Sequence, residues 1–200
     1  KQKVDLALAE NAARVAQGNI DRAELIVINP QLLMGREEAI KIALASQDVP
    51  SAFKAAENFI ELASKEVQEI YHEENEYYVN ELQIAVQGIN QGMNSRGMKM
   101  IKDLDNIQKN QIKLETRQMM EMYLLDIASV YRDALISRVG VLSLNSNNNL
   151  SVQNQKIFLN MSTSEIFTLL AKIIEASSKI SQGSAPKITL EKLFCEMVPK

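Results

Sequence analysis

The feature that most constrains this chain is Asp48-Val49-Pro50, followed by apolar residues at Phe53, Ala56, Ile60, Ala63, Val67 and Ile70. An aspartate side chain can accept hydrogen bonds from the amides left free at a helix start, and proline suits the first turn because its missing N–H has no partner there anyway. The spacing of three and four residues then draws one apolar stripe down a long helix. Glu57, Glu61, Lys65 and Glu69 fall on the opposite face, where water is expected to solvate them. Such a helix gains most of its stability from what its stripe packs against, so a second long helix is required.

That second helix is legible further on. Helical spacing resumes at Ile101, Leu104 and Ile107 and runs through Met119, Met122, Leu125 and Ala128 to Val139. Between the two, the pattern continues more weakly at Tyr78, Leu82 and Ala85 and breaks at the glycines of QGINQGMNSRGM. Two helical arms and a glycine-rich tip predict a long antiparallel hairpin over residues 52–138, each arm about 45 Å long if roughly 30 residues run unbroken.

Shorter helices are expected on either side. A first helix runs through Val15 and stops at Gly18, a natural left-handed C-terminal residue, and Asn19 can cap the next. This pair ends near Asn29-Pro30, since the residue before proline is pushed out of helical dihedrals. A third helix spans about Leu32 to Ala45. After the polar SLNSNNN loop, helices are expected over about Ser151–Leu159, Ser164–Ser181 and Thr189–Val198. Ser162 and Glu165 form a capping box for the middle one, and Gly183 with Pro186 separates the last two. Strand alternation is nearly absent, so the fold class expected is all-α.

Charge and cysteine usage narrow the function classes. Twenty-two basic residues against 25 acidic leave a net charge of −3, which gives no global positive field for nucleic acid. Cys195, the single cysteine, excludes an intrachain disulfide, fits a reducing cytoplasm, and within LEKLFCEMV reads as a buried, inert thiol. No run of about 18 apolar residues predicts a membrane span. The chain opens KQKVDLALAENAARV, already helical and without methionine, as a piece of a longer protein would.

Candidate chemistry fails residue by residue. Gly92 to Gly97 lacks the Lys-Ser/Thr that a phosphate loop carries directly after its second glycine, and reads as the hairpin tip. Glu69 and His72 have the Glu-x-x-His spacing of di-iron bundles, but such a site uses two copies and His72 is the only histidine. That count also removes Ser-His and Cys-His nucleophiles from these residues. The methionines from Met93 to Met122 read as adaptable core, and the many carboxylates as solvated helix faces with no pocket to raise a pKa. No catalytic, metal or cofactor site is expected.

Taken in order, ARVAQGNIDRAELI (residues 13–26), LLDIASVYRDAL (124–135), the helix from Ser162 to Ile180 and Leu190-Glu191-Lys192-Leu193 resemble the C-terminal part of the delta-prime subunit of the bacterial DNA polymerase III clamp loader. The long charged hairpin is similar in character to the actinobacterial form. The resemblance implies that residues 1–31 are the end of an AAA+ lid and 32–200 a helical collar domain, the region through which subunits oligomerise. It further implies a cytoplasmic role in DNA replication, as part of a hetero-pentamer with the motor and clamp-opening subunits. Primed DNA would be met only through that complex, and no membrane is involved. Arg22 stands where AAA+ lids place a sensor arginine facing bound phosphate. The family's delta-prime module is regarded as not hydrolysing ATP, so a structural task for Arg22 is the favoured expectation. From the residues alone, a free-standing helical adaptor or coiled-coil scaffold is the alternative.

Overall fold

A computed structural model describes residues 5–71, 84, 95–140, 147 and 158–199. Among them are seven helices and no strand: α1 Leu6–Ala16, α2 Ile20–Ile28, α3 Leu32–Leu44, α4 Val49–Ile70, α5 Ser95–Val139, α6 Thr163–Ser181 and α7 Pro186–Met197. The all-α expectation holds. The first arm beyond Tyr71 apart from Ile84, the tip up to residue 94, His72, the SLNSNNN loop apart from Asn147, and most of the expected helix 151–159 lie outside the described residues.

Caps set the helix boundaries. Gln17 takes the left-handed conformation at φ 53° with Gly18 following at φ 90°, so α1 ends at Ala16, two residues before the glycine that marks it. Asn19 Oδ1 accepts from the Arg22 amide at 3.0 Å and starts α2. Asp48 Oδ1 accepts from the Ser51 amide at 2.8 Å, closing a box around Pro50, and these bonds hold the Asp48 carboxyl below its ordinary pKa. Ser162 Oγ accepts from the Glu165 amide at 3.1 Å while Glu165 Oε2 accepts from the Ser162 amide at 2.6 Å. Pro186 itself opens α7, so that helix begins three residues before the expected Thr189.

The bundle is built on α5, a 45-residue helix about 67 Å long, against which the described part of α4 spans 22 residues. Helical dihedrals run through Gly97, so the second arm begins well before Ile101. The two arms are antiparallel: Phe59 stacks edge-on against Tyr123 with centroids 6.0 Å apart, whereas Tyr71, further along α4, donates to Glu115, further back on α5, at 3.2 Å. Phe59 also meets Phe194 of α7 at 5.6 Å, tying three helices at one fully buried ring that contributes roughly 1.5–3 kcal/mol. On α6, Ile166, Leu169, Ile173, Ala176 and Ile180 are buried and pack mainly against α5. Arg138, at the end of α5, donates to Thr163 Oγ1 and the Phe158 carbonyl, both at 2.8 Å, and to the Met161 carbonyl.

The buried face of α4 is rotated from the expected one. Ala52, Ala55, Ala56, Phe59, Ala63, Glu66 and Val67 point inward, while Phe53 is 44% exposed and Ile60 and Ile70 are half-buried. Small alanines let α3 and α7 approach α4 on that side, and this closeness outweighs the larger area of Phe53 and Ile60. Met119 and Met120 are core residues as expected, but Cys195 is half-buried rather than enclosed.

Candidate functional site

LLDIASVYRDAL lies on the buried side of α5, with Leu124, Asp126, Ile127, Ala128, Ser129, Val130, Tyr131 and Asp133 all buried. Two arginines converge on the fully buried Asp126. Arg22 of α2 reaches Asp126 Oδ1 with Nη2 at 2.5 Å, and Arg36 of α3 reaches the same oxygen with Nε at 2.9 Å. The arginine side chains are only 10% and 9% exposed, so three charges share one low-dielectric site. Both donors use Oδ1, and among the described residues Asp126 Oδ2 has no hydrogen-bond partner and neither has Arg22 Nε.

Further polar groups hold the triad in place. Arg36 Nη2 donates to Asn147 Oδ1, and the Asn147 side-chain amide donates to Asp133 Oδ2 at 2.7 Å and to Ser129 Oγ at 3.0 Å. The Asn147 backbone amide also donates to Asp133 Oδ2, at 2.9 Å. Arg132 binds the other Asp133 oxygen at 3.0 Å and donates to Gln17 Oε1 at 3.1 Å, so the residue that ends α1 is held as well. Segments remote in sequence are therefore joined by charge-assisted bonds, the kind that fix geometry most strongly.

Arg22 is thus placed against a carboxylate of its own chain. It lines the edge of a groove of about 640 Å³ between the α1–α2 pair and the α5–α6 surface, whose wall includes Leu25, Met122, Leu125, Leu170 and Ile174. Leu125 is 47% and Ile174 51% exposed there. Chemically the arrangement is a clasp, in which one buried carboxylate is shared between two guanidinium groups.

The expectation that the carboxylates lie on solvated faces is overturned at Asp126, Asp133 and Glu66, which are all buried. The exposed set does behave as expected: Glu57, Glu61, Lys65 and Glu69 face water, and Lys65 pairs with Glu69 at 3.6 Å. Burial raises the Glu66 carboxyl above its ordinary range, with the Glu69 charge adding to the effect and Lys65 opposing it. A signal for Asp126 was present, since a charge on a helical face shared with Tyr123, Ile127 and Val130 has to be partnered. Arg36 carried no comparable local signal.

Comparison of the chain with protein-family models, curated proteins and solved structures finds no match. The residues and the geometry they adopt therefore carry the functional reading. Among the described residues, no helix is long and apolar enough to cross a membrane.

Proposed function

We propose that these residues form the lid end and collar of a clamp-loader delta-prime subunit, a part that assembles the complex rather than one that performs chemistry. The observation that carries this reading is the Arg22–Asp126 pair. It joins two of the four segments that carry the resemblance, ARVAQGNIDRAELI and LLDIASVYRDAL, with the arginine in the sensor position docked on the collar's long helix. In that arrangement Arg22 holds the lid to the collar instead of reading a phosphate. The partly exposed apolar wall of the groove, with Phe167 64% exposed on the same helix as Ile174, supports an assembly role, because large apolar patches mark interaction sites.

The partners in this reading are the motor and clamp-opening subunits of the loader. Mixing the protein that carries these residues with those subunits, and measuring the mass of the product by light scattering, tests it. A hetero-pentamer containing the chain is the expected result; a chain that stays outside the assembly at micromolar concentrations overturns the proposal.

A further inference from the structure

Gly35 sits inside α3, a position where alanine would ordinarily be preferred. Here a Cβ would collide with the carboxyl oxygen of Glu66 and the hydroxyl of Tyr123, and would lie 2.8 Å from Glu66 Cδ. The glycine leaves a cleft into which α4 and α5 each send one polar group. Glu66 is 8% exposed and Tyr123 is fully buried. Among the described residues, neither Glu66 Oε2 nor the Tyr123 hydroxyl has a hydrogen-bond partner. A carboxylate and a phenol are thus brought together out of water, and a bare charge in such a place is strongly disfavoured.

We propose that Glu66 is a neutral carboxylic acid in the folded protein, sharing the cleft over Gly35 with the Tyr123 hydroxyl, so that the α3–α4–α5 junction binds a proton as it folds. A protonated carboxyl brings the O–H donor that a carboxylate lacks, and the cleft then holds two hydroxyls and their acceptor oxygens in place of a lone anion. Of the surrounding charges, Glu69 acts the same way and Lys65 opposes it. Asp126 lies behind Tyr123 on α5, and burial drives the Tyr123 hydroxyl far above its ordinary pKa, so the phenol stays neutral beside Glu66. Arg36 of α3 is engaged by Asp126 and Asn147, and Lys65 is exposed and paired with Glu69. On α7, Lys187 pairs with Glu57 and Glu191, Glu196 pairs with Lys172, and Lys192 is exposed.

The sign follows from linkage. The folded carboxyl is shifted upward, so the folded state holds the proton over a pH range in which the unfolded chain has released it. The stability due to the neutral acid is complete below the ordinary carboxylate range and is lost as pH rises through the raised folded value. Glu66→Gln keeps the shape and removes the titration. Equilibrium urea unfolding of both proteins from acidic to mildly alkaline pH should show the variant gaining on the parent by up to tenfold in the unfolding constant per pH unit across that window. A stability difference that does not change with pH overturns the proposal. Carbon-13 NMR of the Glu66 carboxyl in the unmodified protein provides a second test that does not depend on the variant folding. A midpoint above the ordinary glutamate range supports the proton clasp, and a carboxylate titrating at or below that range overturns it.

Discussion

Replacing Asp126 with Asn removes one charge from a site that two buried guanidinium groups depend on. In the parent, Oδ1 accepts from Arg22 at 2.5 Å and from Arg36 at 2.9 Å, and the carboxylate is fully buried. The amide can still accept, but it leaves two cations with at most about a tenth of their side-chain surface in water and no counter-charge between them. Removing one partner of a buried ion pair costs about 3–5 kcal/mol, against at most about 1 kcal/mol for a pair in solvent. The expected loss is therefore about 3–5 kcal/mol, or a fall in Tm of roughly 6–20 °C for a chain of this size. Arg22→Met should cost less, since Arg36 still compensates Asp126, and an Arg22/Asp126 double-mutant cycle should give a coupling above about 1 kcal/mol. Urea unfolding followed by far-ultraviolet circular dichroism measures all of these. Burial also predicts that the coupling changes little with added salt. Replacing all three groups together, as Arg22→Met, Arg36→Met and Asp126→Leu, should recover much of the loss, because an apolar trio needs no compensation. A single Asp126→Asn change within about 0.5 kcal/mol of the parent would refute this account of the site.

Other outcomes follow from features away from the triad. Gly35→Ala, which stabilises an ordinary helix interior by about 1 kcal/mol, should here destabilise by about 1–3 kcal/mol, and a rise in the unfolding midpoint would disprove the tight cleft over Gly35. Ser162→Ala should cost about 1 kcal/mol through loss of the α6 cap, read from the same unfolding curves. Asp48 has a lowered folded pKa, so its contribution is present above the ordinary carboxylate range and is lost as pH falls through the lowered value; Asp48→Asn should flatten that acid limb. Leu125→Glu and Ile174→Glu, at half-exposed positions of the groove, should leave the unfolding midpoint within about 0.5 kcal/mol of the parent yet weaken hetero-pentamer formation.

The parts of the fold that local chemistry decides could be read from the sequence. Asn19, Asp48 and Ser162 cap the helices they precede because each carries an oxygen that reaches the third amide onward, a property independent of the rest of the chain. The face that α4 buries was harder to read. Phe53, Phe59 and Ile60 are all large and apolar and point in different directions, and the alanine positions that admit neighbouring helices decide among them. The triad was half legible. Arg22 stood out through its motif, but its partner lies 104 residues away and Arg36 looks like any surface arginine at the start of an acidic run. Glu66 is hard to place for a similar reason. Its place beside Val67 and three residues after Ala63 marks an inward position, yet only the contacts with α3 and α5 show that this side chain stays out of water.

Asp126 is also a point of triangulation. Arg22 and Arg36 stand on opposite sides of the Asn29-Pro30 turn, and both close on one oxygen of α5. The angle between α2 and α3 cannot open without drawing a cation off that atom, so the turn is braced beyond the restriction that Pro30 already places on it. A load applied to α2 then bears on Asp126, in the C-terminal half of α5, as well as on the turn itself.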